Sequence, residues 1–273
     1  MTSFLFWNVM RKDLRTLIAE AVIEHDVDIL LLAESGVSDA DMTAALEATS
    51  GREYTALSQE ADKIRLFTRL PITMWTRRQT DALSARMAIW SVTVGKHPGI
   101  LLATTHFVSK NNALPGEQAL LASELAKEIN RVEEFVGHER TLVVGDLNMN
   151  PYELGVTGAT ALHAVMTTTI AERRHRVVQG RRYRFFYNPM WGFFGDRTEG
   201  PPGTYYHRSA TVGDVYWHML DQVLLRPALM HLLHDLAILD TIEEECLLTQ
   251  PAGLPRETVG SDHLPLAFRL TLD

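Results

Sequence analysis

The sequence Asp28-Ile29-Leu30-Leu31-Leu32-Ala33 leaves no polar side chain to face water after Asp28. An extended segment of this kind has to be covered on both faces, which is the pattern of a strand inside an α/β sheet rather than of an edge or a one-sided sheet. Short apolar runs recur along the chain. Phe4–Val9, Ile64-Arg65-Leu66-Phe67-Thr68, Met87–Val94, Leu101–Thr105 and Thr141-Leu142-Val143-Val144 read as strands, followed by Tyr205-Tyr206, Leu220–Leu225, Ala237-Ile238-Leu239 and Leu266–Leu270. Between them lie amphipathic helices. Leu14, Leu17, Ile18, Ala21 and Val22 share one stripe, a short helix is expected over Asp39–Ala48, and Leu114, Leu121, Leu125, Ile129, Val132 and Val136 mark a longer one. This alternation predicts an α/β fold with mixed sheets covered by helices. Arg173–Trp217 breaks the pattern. It is rich in Arg, aromatic, Gly and Pro residues with little periodicity, and reads as a long loop or insertion.

With 46 % apolar residues the chain can build a sizeable core. A net charge of −8 argues against a protein that coats duplex nucleic acid by charge alone, so any nucleic-acid contact should be local or the substrate small. The single cysteine, Cys246, excludes an internal disulfide, and no Cys/His set has zinc spacing. Beside Glu243-Glu244-Glu245 it reads as inert. His231 and His234 lack a third ligand. No signal-peptide pattern opens the chain and no apolar run approaches the ~20 residues needed to cross a bilayer, so the expected location is cytoplasmic with no membrane span.

The chemistry-bearing residues follow the apolar runs. Asn8 ends the first strand, Glu34 follows Ala33, His106 follows Thr105, and Asp146 and Asn148 follow Val144. Asp221 lies in Leu220-Asp221-Gln222-Val223-Leu224, and Asp262-His263 precede the last strand. Ligand sites of α/β sheets gather at strand ends. A charged group there is costly to bury unless it is paired or holds a metal. The oxygen-bearing residues suit magnesium, which takes one or two carboxylates and shares its other positions with water and phosphate. Histidine suits proton transfer near neutral pH.

Taken in order, these pieces resemble the endonuclease/exonuclease/phosphatase (DNase I-like) superfamily. Phe6-Trp7-Asn8-Val9 looks like its opening strand, and Ile29–Glu34 like the strand ending in a metal-binding glutamate. Leu66-Phe67-Thr68-Arg69-Leu70-Pro71-Ile72 is similar to its Ser-Arg-x-Pro-Ile segment, with Thr68 in place of serine. Thr104-Thr105-His106-Phe107, Val143-Val144-Gly145-Asp146-Leu147-Asn148, Leu220–Leu224 and Gly260-Ser261-Asp262-His263-Leu264-Pro265-Leu266 complete the series.

The resemblance implies a single domain over residues 1–273, built as a four-layer α/β sandwich with two mixed β-sheets face to face flanked by helices. It implies a magnesium-dependent phosphodiesterase or nuclease, with manganese able to substitute. Glu34, Asn8 and Asp262 would bind the metal. His263 would activate water with Asp221 holding its other nitrogen, and Asp146 is the alternative base. Asn148 and His106 would contact phosphate oxygens, and Arg86 opens a strand where some relatives place a phosphate-contacting arginine. For substrate contact the basic segment adds Arg181, Arg182 and Arg184, interleaved with Tyr183, Phe185, Phe186, Tyr187 and Trp191. Arginine forks fit phosphate and aromatic rings stack on bases. The expected partner is a phosphate-ester substrate, single-stranded or small nucleic acid in preference to long duplex, with no obligate protein partner. Two other readings stay open: a phosphatase or phosphodiesterase on a small metabolite or lipid head group, and a non-catalytic binding protein that keeps the fold.

Overall fold

The computed structural model describes residues 1–59, 62–78, 85–94, 99–208 and 214–272. The chain divides into two compact units, each built around one sheet. The first comprises Met1–Ile72, Phe193–Asp221 and Leu233–Thr271, the second Thr73–Gly192, Gln222–Leu232 and Leu272–Asp273.

In the first unit six strands run in the order Leu233–Ile238, Leu266–Leu270, Thr2–Asn8, Ile29–Ala33, Ile64–Thr68 and Thr55–Ala56. The apolar Ile29–Ala33 run is central and fully buried. It lies parallel to Thr2–Asn8, with Phe4 opposite Ile29 and Asn8 opposite Ala33, and antiparallel to Ile64–Thr68. Phe4 also faces Phe268 on the closing strand, and the two rings stack with centroids 4.6 Å apart. A parallel neighbour requires a crossover, supplied by the helix Arg15–Glu24, which buries Leu17, Ile18, Ala21 and Val22. The helix Asp39–Ser50 starts on Ser38, whose hydroxyl accepts the Asp41 N–H, and stops at Gly51 in the left-handed region. At the far end of the central strand, Asp28 is held by the Ser3 N–H at 2.8 Å and by Arg69 Nε at 2.5 Å. The Arg-x-Pro-Ile segment is thus an anchor for neighbouring strands, since Arg69 also reaches Asp26 at 2.9 Å.

The seven-stranded sheet of the second unit has the order Trp75–Arg77, Met87–Val92, Ile100–His106, Thr141–Asp146, Asp221–Leu225, Phe186–Tyr187 and Ala164–Val165. Ile100–His106 and Thr141–Asp146 are parallel, as are Phe186–Tyr187 and Ala164–Val165. The helix Pro115–Val136 begins with a proline, its first turn closed by Glu117 accepting the Leu114 N–H at 2.7 Å. It packs Ala122, Leu125, Ile129 and Val132 against Leu101, Ala103 and Val143. Each such fully buried Leu or Ile contributes roughly 1.5–3 kcal/mol relative to exposure. The buried stripe differs from the sequence expectation at its ends. Leu114 is exposed, whereas Gln118 and Glu133 are buried.

Glu133 is the polar centre of this unit. It accepts from Arg226 Nε at 2.8 Å and from the Thr141 hydroxyl at 2.5 Å. The guanidinium of Arg226 also donates to the Phe185 carbonyl and to Asn130 Oδ1, and lies 3.9 Å from the Phe186 ring centroid.

The described part of Arg173–Trp217 is not one continuous loop. It forms the hairpin His175–Val178/Arg181–Arg184, gives Phe186–Tyr187 to the seven-stranded sheet, and pairs Tyr205–Tyr206 with Trp217–His218. Two- and four-residue strands are too short to show a two-residue period in sequence. No helix among the described residues is long and apolar enough to cross a membrane.

Two stability predictions follow from the second unit. Arg226→Met leaves Glu133 buried without its principal partner and should lower the unfolding free energy by about 3–5 kcal/mol in urea. Combining it with Glu133→Gln should recover part of that loss, and a single-variant loss below ~1 kcal/mol would refute the role assigned to the pair. His163, buried and accepted by the Arg184 carbonyl, is pushed down to about 4 by burial. The unfolded chain therefore takes up this proton at a higher pH than the folded one. The His163 contribution is complete above about pH 6.5 and declines as pH falls towards 4. His163→Gln should flatten the urea-midpoint profile in that window, and an unaltered profile would contradict the assignment.

Candidate active site

In the first unit the polar strand ends are drawn together by backbone geometry. Asn8 ends its strand opposite Ala33, so the residue after Ala33, Glu34, lies beside it. Asn8 is buried, and its Oδ1 accepts the Met10 N–H at 3.1 Å. Glu34 has φ +51°, an uncommon conformation for a residue with a long side chain. The two loops are joined by Arg11 N–H donating to the Glu34 carbonyl at 2.8 Å. They approach so closely that a Cβ on Gly36 would lie 2.7 Å from the Arg11 oxygen. Lys12, in the same loop, donates to the carbonyls of Glu257 and Gly260 at 2.6 and 3.0 Å and so fixes the segment leading into Ser261-Asp262-His263.

His263 is held from several sides. Its Nδ1 lies 2.7 Å from Asp221 Oδ2. An ionised carboxylate only accepts, so Nδ1 carries the proton and the lone pair of the neutral ring is on Nε2. Asp221 is fully buried, and its N–H donates to the Thr204 hydroxyl at 3.1 Å. The His263 carbonyl accepts from the Trp7 indole at 2.8 Å, and the Tyr205 ring packs on the imidazole with centroids 4.6 Å apart. Asp262 is half-buried and accepts from the Ser261 hydroxyl at 3.1 Å. It also lines a cavity of about 320 Å³ with Tyr205, Tyr206, His207, Arg208 and Glu257.

In the second unit His106 and Asp146 end adjacent parallel strands and are register partners. His106 Nε2 lies 3.7 Å from Asp146 Oδ2, beyond hydrogen-bond length, while Asp146 Oδ1 accepts the Asn148 N–H at 2.8 Å. Asn148 has φ +49°, which Asn tolerates, and its Nδ2 donates to the Phe107 carbonyl at 3.0 Å. Gln118 donates to the Asn148 carbonyl at 3.1 Å and to the Val108 carbonyl at 2.8 Å, so the polar end of the helix stripe holds this loop. Arg86 donates to the His106 carbonyl at 3.3 Å. Gly145 is required by contact, because a Cβ there would lie 1.8 Å from the Thr105 oxygen across the parallel pair.

The structure thus sets Asn8 and Glu34 at neighbouring strand ends and pairs Asp221 with His263, next to Asp262, in the first unit, and it places Arg86, His106, Asp146 and Asn148 around one pair of strand ends in the second. It does not bring Arg184 to Asp146. Arg226 donates its backbone N–H to Thr141 at the start of the strand that ends in Asp146. Arg184 sits at that opposite end, 2.8 Å from Glu139, 3.5 Å from Glu133 and 3.1 Å from Asn130 Oδ1. Arg181 and Arg182 are exposed on the hairpin. Sequence reasoning passed over Lys12, Gln118 and Thr204, and took Tyr205 only as a strand residue. These residues act through hydrogen bonds or a ring contact that have no spacing signature.

Asn8 and Glu34, at the ends of adjacent strands, and Asp262, before the closing strand, carry oxygen donors, a type that suits a hard divalent cation and not a soft one.

No family model and no curated protein matches the sequence. Solved structures do match. The endonuclease domain of TRAS1, a telomere-specific non-LTR retrotransposon, is similar over all of both chains at 16 % identity and TM-score 0.56. A 3′ phosphatase from Neisseria, solved bound to product DNA hairpin, matches 99 % of this chain and all of its own at 15 % identity and TM-score 0.59. An AP endonuclease from Archaeoglobus fulgidus matches 99 % of both at 13 % identity and TM-score 0.59.

Gly145→Ala should destabilise the second unit by about 1–3 kcal/mol or more, as overpacking against a rigid backbone demands. A urea midpoint within error of the parent would show that the strand pair can open to admit the methyl group.

Proposed function

We propose that this chain, which has the fold of the endonuclease/exonuclease/phosphatase superfamily, is a magnesium-dependent hydrolase of phosphate esters. The observation that carries the reading is the buried Asp221–His263 pair at 2.7 Å. A carboxylate that fixes the tautomer of a clamped histidine is an arrangement suited to proton transfer.

His263 Nε2 takes a proton from the attacking water, and Asp221 offsets the positive charge that then develops on the ring. Asp146 is the alternative proton acceptor. Asn148, through the second hydrogen of its amide, and His106 and Arg86 donate to phosphate oxygens as negative charge grows on them in the transition state. Glu34, Asn8 and Asp262 would hold magnesium, which would polarise the ester phosphate and offset its charge; manganese would suit the same ligands. The left-handed backbone of Glu34 supports this reading, since strained residues concentrate where function fixes their direction.

For the substrate we favour a nucleic-acid or nucleotide ester over a lipid or metabolite phosphate. The aromatic and basic wall of the cavity beside Asp262, with Tyr205, Tyr206 and Arg208, suits a base next to the reacting phosphate. The matching structures named above include two endonucleases and a 3′ phosphatase solved bound to product DNA hairpin. Arg181 and Arg182 remain proposed contacts for a strand that extends beyond the reacting phosphate.

The test is hydrolysis of a fluorescent single-stranded oligonucleotide, the matching duplex and bis-p-nitrophenyl phosphate, each with magnesium, manganese or EDTA. Cleavage should require metal, weaken in Glu34→Gln, and fall by roughly 10²–10⁴ in His263→Ala. Unchanged rates in the folded, metal-replete variants would sink the site assignment. Magnesium binding without cleavage of any of these substrates would move the reading to a metabolite or lipid phosphatase.

A further inference from the structure

The second unit contains a cavity of about 770 Å³ that involves none of the residues assigned to hydrolysis. Its wall combines two kinds of chemistry. Ile170, Phe185 and Trp191 supply apolar and aromatic surface, while Arg173, His175 and Arg176 supply cationic and hydrogen-bonding groups. The cavity lies along Ala164–Val165, the last strand of the seven-stranded sheet, and the base of the His175–Val178/Arg181–Arg184 hairpin.

The arginines of this region are divided by their partners. Arg174 and Arg184 are drawn to Glu139, at 3.5 and 2.8 Å. Arg173 and Arg176 are exposed and make no ion pair among the described residues. Their charge is therefore not cancelled locally, in a chain whose net charge is −8. His163, buried in the cavity wall, packs on Phe185 with ring centroids 4.4 Å apart. Burial and nearby Arg176 and Arg226 keep it neutral at physiological pH. The positive potential of the cavity thus comes chiefly from two guanidinium groups that stand beside aromatic surface.

Cavities of this volume hold small organic ligands. Guanidinium forks match phosphate oxygens, and aromatic side chains stack on planar rings regardless of base identity. We propose that this cavity binds a nucleoside phosphate, with the phosphate on Arg173 and Arg176 and the base against Trp191, through residues other than those of the Asp221–His263 pair. The same chemistry is offered by a free mononucleotide and by one nucleotide of a single strand. Binding here does not depend on the hydrolase reading, and it can be measured without turnover.

The experiment is calorimetric titration of the full chain in EDTA with AMP, adenosine, inorganic phosphate and hexadeoxyadenylate, at low and at physiological salt. The parent is compared with Arg173→Ala/Arg176→Ala and with Trp191→Ala, each checked by circular dichroism and urea unfolding. The parent should bind AMP at least tenfold more tightly than adenosine or phosphate alone. The double variant should lose at least tenfold in AMP affinity and Trp191→Ala at least fivefold. A hexanucleotide that binds much more tightly than AMP, and loses that advantage in the double variant, identifies a strand as the ligand; equal affinities identify the free nucleotide. AMP affinity unchanged in a folded double variant, or phosphate binding as tightly as AMP, would overturn the proposal. Neither result would touch the hydrolase reading, which the metal-dependent cleavage assay judges by itself.

Discussion

Asp221 begins a strand with none of its surface exposed, and its carboxylate has to be compensated inside the protein. An unpaired buried charge is costly, so the residues around it are constrained together. His263 meets the carboxylate at 2.7 Å, Thr204 accepts the Asp221 N–H, and Tyr205 and Trp7 fix the ring and backbone of His263. The closing Ser261-Asp262-His263 segment is therefore tied to the opening strand, to Lys12 and to the Thr204–Tyr205 turn. One buried carboxylate thus makes residues near both ends of the chain mutually dependent in the first unit.

The second unit repeats the principle at opposite ends of one strand. At its carboxyl end Asp146 accepts the Asn148 N–H in a loop held by Gln118. At its start Glu133 is satisfied by Arg226 and Thr141. The helix Pro115–Val136 contributes to both ends. Between its buried polar residues Gln118 and Glu133 run the apolar side chains that cover the sheet. A polar residue on a buried stripe here has a structural partner, and the position of that partner decides whether it supports the site or the scaffold.

Much of the fold was legible in the sequence. The Leu266–Leu270 strand matches the expected bounds, and Ile29–Ala33 and Pro115–Val136 begin within one residue of theirs, because long apolar periods leave one way to bury them. The polar residues at strand ends were also visible, since each interrupts an apolar run. In the Arg173–Trp217 region, read as a long loop or insertion, only Tyr205-Tyr206 showed as a strand, because the other strands there are two to four residues long and are stabilised by pairing, not by their own pattern. Arg184 shows the same limit. Its composition suggested phosphate contact, but Glu133, Asn130 and Glu139 claim it.

By itself the sequence determined the α/β class, the order of the strand-end residues and the chemical character of each, because hydrophobic periodicity and residue type are properties of the chain. Only the tertiary structure set the distances at which those groups meet. It set Asp221 against His263 rather than leaving it a surface carboxylate, left Asp146 out of hydrogen-bond reach of its register partner His106, and neutralised Arg184 while leaving Arg173 and Arg176 without ion-pair partners among the described residues. The reason is physical. Electrostatic and hydrogen-bond interactions depend on distances of a few ångströms between residues tens or hundreds of positions apart, and no local pattern encodes such distances.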